Sequence, residues 1–195
     1  MHTDFPRTAI IYDIDGVAAD SRARSAKHID YAAEARGDHD AFKESLLRWG
    51  ETTDGDTPIP QGYGLIAALH YLHKPDALIA LTSRGEGGRA ATLAWLRANL
   101  HGLPVKDEWL RMRPLELEGL PSPEFKVRVL ETILQEYHVI FAVDDHPGNC
   151  DMYYRRGIPT LHLMLPGVDC LSVPEGALFP PAKEGARHAD QHEQP

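Results

Sequence analysis

Three short apolar runs each stop abruptly at residues that carry chemistry, and this pattern narrows the chain to one broad architecture. Residues 8–12 give way to Asp13-Ile14-Asp15-Gly16. Residues 77–81 run into Thr82-Ser83-Arg84, and residues 139–143 into Asp144-Asp145. Runs this short and this apolar suit strands covered on both faces, the usual condition of a parallel sheet.

The intervening segments read as helices. These are 21–36, rich in Ala and Arg, and 39–49. Next come 62–72, with Leu65, Ala68 and Leu72 on one face, and 89–100, with Leu93, Leu96 and Leu100 inward. The last two are 122–137 and 147–156. Ser122-Pro123-Glu124 reads as a helix start with a hydroxyl cap, proline at the first position and an acid in the first turn. Short strands are expected over 109–112 and 160–165. Residues 52–60 form a polar loop broken by Gly55, Pro58 and Pro60. Gly85, Gly87 and Gly88 read as a turn in preference to a phosphate cradle. The alternation predicts an α/β fold: a doubly wound parallel sheet of Rossmann-like type.

Ligands bind such sheets at the carboxyl ends of the strands. Asp13, Asp15, Asp144 and Asp145 would meet there, with the Thr82 hydroxyl beside them. Carboxylates crowded in this way repel and desolvate one another, so they call for a cation. Oxygen donors without a His or Cys cluster favour a hard ion, Mg²⁺ before Zn²⁺. Mg²⁺ commonly joins a carboxylate to a substrate phosphate. Lys126 begins an apolar stripe with Val129, Leu130 and Ile133, so its ammonium needs a buried partner.

Composition bounds the function classes. The 195 residues carry a net charge of −9, which opposes a broad electrostatic footprint on duplex nucleic acid but not a local basic pocket. No apolar run approaches the ~20 residues of a spanning helix. Met1 to Arg7 lacks a basic-then-apolar signal pattern. Cys150 and Cys170 are too few for a disulfide framework, and a reduced, cytoplasmic setting without a membrane partner is expected.

Asp13-Ile14-Asp15-Gly16-Val17, Thr82, Lys126 and Asp144-Asp145 together resemble the four ordered motifs of the haloacid-dehalogenase-like phosphatases. The resemblance covers roughly residues 8–165. Leu81-Thr82-Ser83-Arg84, Trp95-Leu96, Leu110-Arg111-Met112-Arg113-Pro114, Phe125-Lys126 and Val143-Asp144-Asp145 narrow it. They are similar to the 3′-phosphatase domain of phage-type polynucleotide kinases. That family often has an Asp four positions before the motif lysine; here the position is Ser122. No P-loop is present, so kinase activity is not expected.

The resemblance implies a Mg²⁺-dependent phosphomonoesterase with a nucleic-acid 3′-phosphate as substrate. The alternatives are a nucleotide or other small-molecule monophosphatase, or a pseudoenzyme that binds a phosphorylated ligand. Asp13 would be the nucleophile and Asp15 the general acid and base. Asp13, Asp144, Asp145 and the Asp15 main-chain carbonyl would hold the metal, Asp144 directly or through water. Thr82, Ser83 and Lys126 would face the phosphate. Arg84 would contact the phosphate or a neighbouring substrate group, and Arg22 or Arg24 would assist. The implied organisation is a catalytic core over 1–18 and 58–181, a small helical cap over 19–57, and a mobile tail over 182–195.

Overall fold

The computed structural model describes residues 6–118 and 120–165. The tail expected over 182–195, and the end of the core beyond 165, lie outside the described residues.

Five parallel strands form the central sheet. β1 (Thr8–Tyr12) lies in the middle, between β4 (Ala77–Gly85) and β6 (His138–Asp144). β5 (Leu110–Arg113) flanks β4, and β7 (Thr160–His162) flanks β6. The order is therefore β5-β4-β1-β6-β7. Ala9, Ile10, Ile11 and Tyr12 are all buried, as the apolar run requires of a central strand. The chain crosses from β5 on one side of β1 to β6 on the other, so the order reverses around β1. A crevice at that reversal, above the carboxyl ends, is where this architecture takes its ligands.

Helices α4 (Pro60–His73), α5 (Arg89–Asn99), α6 (Ser122–Glu136) and α7 (Pro147–Arg155) flank the sheet. On α5, Leu93 and Leu96 are buried as expected, with Leu100 just beyond its end. On α4 the inward face differs from expectation. Gly62, Ile66 and Leu69 point in, while Leu72 is 70% exposed. Gly62 explains the rotation. A Cβ there would stand 1.7 Å from the Val17 carbonyl oxygen, so glycine presses the helix onto the chain after β1. Positions four and seven residues on then inherit the inner face.

Two further elements depart from the sequence reading. The 21–36 helix is broken into α1 (Arg22–His28) and α2 (Tyr31–Ala35). Asp30 starts the second piece by accepting a hydrogen bond from the Ala33 amide at 2.9 Å. Helix α6 begins one residue early, with Pro121 at its cap position and no side-chain cap. The Ser122 hydroxyl instead meets that of Ser83 at 2.8 Å. Residues 86–88 do make a turn, a short 3-10 helix leading into α5.

Segment 19–57 holds α1, α2 and α3 (His39–Gly50). An antiparallel two-strand ladder, β2 (Ala19–Asp20) with β3 (Thr57–Pro58), closes its base. Ile29, Ala33, Phe42 and Trp49 form a small apolar cluster separate from the main core. Among the described residues no helix is long and apolar enough to cross a membrane.

Candidate active site

Asp13 directly follows β1. Its amide donates to the Val143 carbonyl at 2.9 Å, which ties the end of β1 to the end of β6. That bond sets Asp13 beside Asp144. The next residues turn sharply. Gly16 takes a left-handed φ of 79°, and the Ala18 and Ala19 amides both donate to the Ile14 carbonyl at 2.8 Å.

One carboxylate oxygen from each of Asp13, Asp144 and Asp145 lies within 4.8 Å of the others. Lys126 reaches into this cluster from α6 with a fully buried side chain. Its Nζ is 3.1 Å from Asp13 Oδ2 and donates to Asp144 Oδ2 at 2.7 Å. Asp144 is held on its other oxygen by the His146 amide at 3.0 Å and the Asn149 side-chain amide at 2.9 Å. Asp145 Oδ2 is buried without a hydrogen-bond partner. His146 serves as the cap of α7, accepting from the Gly148 amide at 3.1 Å.

Burial pushes Asp13 up to about 7, with the Lys126 charge opposing and Asp144 and Asp15 adding to the rise. Burial likewise pushes Asp145 up to about 8, reinforced by Asp13 and Asp144. Burial disfavours the Lys126 ammonium, yet Asp13 and Asp144 hold its pKa well above the ordinary lysine value. Three crowded carboxylates, an all-oxygen donor set and an orphaned Asp145 oxygen fit a hard divalent cation such as Mg²⁺.

Asp15 stands in a different environment, and its carboxylate is not part of that cluster. Arg84 donates to it through Nε at 2.9 Å and Nη2 at 2.7 Å, and Arg24 donates through Nη2. Burial alone would raise its pKa; attraction to Arg84 and Arg24 outweighs this and holds it below the usual carboxylate value. Both arginine side chains have no exposed surface. Asp56 joins them, 2.9 Å from Arg24 Nε and hydrogen-bonded to Arg84 Nη2 at 2.7 Å. The sequence reading did not single out Asp56. It lies in a polar loop, 28 and 41 positions from Arg84 and Asp15, so no local spacing marks it.

Residues 82–84 lie within β4 and not beyond it. Leu81 pairs with Arg111 and Gly85 with Arg113, so Thr82, Ser83 and Arg84 face Met112 alone. Such a bulge re-aims side chains at a strand end. Thr82 is buried, and its hydroxyl accepts the Arg84 amide at 3.3 Å. The Ser83 carbonyl accepts Arg113 Nε at 3.2 Å. Arg113 also caps the Leu120 carbonyl at 2.5 Å and lies over the Phe125 ring, a structural post.

The structure thus groups Asp13, Asp144, Asp145 and Lys126, and separately Asp15, Arg24 and Arg84. Arg22 is about half exposed and forks onto Asp20, with Nη2 to Oδ2 at 2.6 Å.

No protein-family model and no curated protein matches the chain. Solved structures do. Chains of two Pnkp1/Rnl/Hen1 complexes, one described as an RNA repair complex, align with TM-scores of 0.57 and 0.58 at 20% and 21% identity. These alignments cover 84% and 83% of this chain but only 44% and 47% of those chains, so it spans just under half their length. An L-2-haloacid dehalogenase aligns with a TM-score of 0.50 at 16% identity, covering 91% of this chain and 92% of its own. The chain has a haloacid-dehalogenase-like fold, related to that found in the Pnkp1 complexes.

Proposed function

We propose that the chain is a Mg²⁺-dependent phosphomonoester hydrolase working through an aspartyl-phosphate on Asp13. The observation that carries this reading is the meeting of Asp13, Asp144 and Asp145 with buried Lys126. In the first step an Asp13 carboxylate oxygen attacks phosphorus and the ester P–O bond breaks. The leaving alkoxide takes a proton from Asp15. In the second step water attacks the phosphorus, Asp15 takes the water's proton, and inorganic phosphate leaves with the Asp13 carboxylate restored. Lys126 opposes the burial that disfavours the Asp13 carboxylate and offers an ammonium to the phosphoryl oxygens, while Thr82 and Ser83 provide donors. Mg²⁺, when bound by Asp13, Asp144, Asp145 and the Asp15 carbonyl, supplies fixed positive charge to the transferring group.

Arg24 and Arg84 are assigned here to Asp15 and not to the phosphate, because their donors already meet Asp15 and Asp56. The paired state favours the base half of the Asp15 role. For the acid half Asp15 must first gain a proton.

The substrate class assigned is a nucleic-acid 3′-phosphate end. It rests on the motif resemblance, the fold shared with a chain of an RNA repair complex, and a cap over 19–57 of only three short helices. The net charge of −9 and the internal pairing of Arg24 and Arg84 support a second reading, a nucleotide monophosphatase. A panel of phosphomonoesters assayed with Mg²⁺ and with chelator tests both. Faster turnover of 3′-phosphorylated oligonucleotide than of mononucleotides is expected. The reverse order selects the second reading, and no Mg²⁺-dependent turnover of any ester rejects both.

A further inference from the structure

Asp56 sits between the two arginines that hold Asp15. Its side chain has no exposed surface, although the loop around it is polar and an acid there would ordinarily face water. Its carboxylate contacts both arginines that hold Asp15, Arg24 Nε at 2.9 Å and Arg84 Nη2 at 2.7 Å. Its main chain is anchored as well. The carbonyl accepts the Trp95 indole N–H from α5 at 3.3 Å, and the amide donates to the Thr53 carbonyl at 3.0 Å.

The two arginines have little freedom otherwise. Arg24 Nη1 donates to the Trp49 and Thr52 carbonyls at 3.1 and 2.8 Å, and its guanidinium lies over the Trp49 ring at 4.2 Å. Arg84 Nη1 reaches the Thr92 hydroxyl at 3.5 Å. Two buried guanidiniums facing one carboxylate would repel each other across it. A second carboxylate balances them and fixes the direction from which each grips the first. Asp56 also joins the returning end of segment 19–57 to α5, so the bearing of Arg24 on α1 is referenced to the core.

We infer that Asp56 is a positioning residue, which sets the placement of Asp15 by sharing Arg24 and Arg84 with it. The consequence for catalysis rests on the phosphatase reading above; the placement itself does not.

The test compares Asp56→Asn with Asp54→Asn, a control nearby whose exposed carboxylate pairs with Lys27. Nuclear magnetic resonance of the full chain reports the ¹³Cγ shift of Asp15 and the ¹⁵Nε signals of Arg24 and Arg84. All three are expected to move in Asp56→Asn and to stay in Asp54→Asn, with the sheet amides unchanged. In rapid-quench assays of the same proteins with Mg²⁺, Asp56→Asn is expected to lower kcat ten- to a hundredfold with KM within threefold. Asp56→Glu is expected to recover part of that loss. Unmoved Asp15 and arginine signals overturn the inference whether or not turnover is found. A lowered melting temperature with unchanged kcat below it also overturns it, because a purely structural acid would behave that way. A wild-type chain inactive on every ester rejects the functional reading instead, and the resonance shifts still decide the placement.

Discussion

Two adjoining carboxylate clusters share one end of the sheet and are built on opposite electrostatic plans. Around Asp13, among the described residues, three carboxylates face a single ammonium. Around Asp15, two carboxylates face two guanidiniums. The first is left short of positive charge, with an orphaned oxygen on Asp145. Charge must come from outside to complete it. The second is balanced and closed by its own side chains. Ligand binding and alignment are thus assigned to separate clusters, only two residues apart in the chain.

The largest expected effects come from the same change made once in each cluster. Asp13→Asn should remove phosphatase turnover by at least about a thousandfold, because the proposed nucleophile is lost. Its melting temperature should hold or rise, since like-charge crowding is relieved and the new side-chain oxygen still accepts the Ile14 amide. Asp15→Asn should instead destabilise the fold by about 3–5 kcal/mol, because it leaves buried guanidiniums short of a carboxylate. Paired thermal melts and kinetics check this. A stable Asp15→Asn beside an unstable Asp13→Asn would reverse the comparison.

Lys126→Met comes next. It removes the one cation that, among the described residues, faces Asp13 and Asp144, and it should cost about 3–5 kcal/mol in chelator. Mg²⁺ should restore part of the loss, since it supplies the missing charge. Denaturant titration with and without Mg²⁺ measures both. A loss that Mg²⁺ does not touch would separate the lysine from the cation site.

The two clusters also differ in how readily the sequence discloses them. Asp13, Asp144 and Asp145 stand at the ends of apolar runs, and a parallel sheet brings such ends together whatever the helices do. Lys126 is legible because an ammonium in an apolar stripe demands a partner. The other cluster depends on loop paths. Asp56 follows a polar stretch with no periodicity, and its arginine partners are 28 and 32 positions away. The α1–α2 break carried a local signal, since Asp30 precedes the Ala33 amide it caps by the usual three positions. The inner face of α4 carried a weaker one. Leu65, Ala68 and Leu72 fit a helical stripe, but contact between Gly62 and Val17 decides the rotation, and no periodicity reports a backbone contact.

The pH response should distinguish the clusters more gently. Asp13 and Asp145 have folded-state pKa values raised above those of the unfolded chain. The folded form then binds more protons, so their contribution to stability is present near pH 4 and is lost as pH rises through about 7 and 8. Asp15 is shifted the other way, so its contribution is present above the unfolded value and is lost on acidification below it. In chelator the melting temperature should therefore decline between pH 5 and pH 8. Mg²⁺ binds the ionised carboxylates, so its stabilising increment should grow over the same interval. Calorimetry across that range checks the sign. An increment that shrinks with rising pH would place the cation elsewhere.

Substitution of Arg22 should have the smallest effect. Its fork onto Asp20 is solvent-exposed at the arginine end, and such pairs contribute at most about 1 kcal/mol. Arg22→Ala should therefore change stability by under about 0.5 kcal/mol. Under the proposed function, Arg22 at the start of α1 would contact the substrate backbone. The KM for a 3′-phosphorylated oligonucleotide should then rise about two- to fivefold with kcat unchanged, in keeping with one exposed charge contact. The KM for a mononucleotide should move less, because it has no neighbouring phosphate for Arg22 to meet. A fall in kcat alone would tie Arg22 to the alignment cluster through Arg24, two residues along the same helix, and so move the boundary between the two plans.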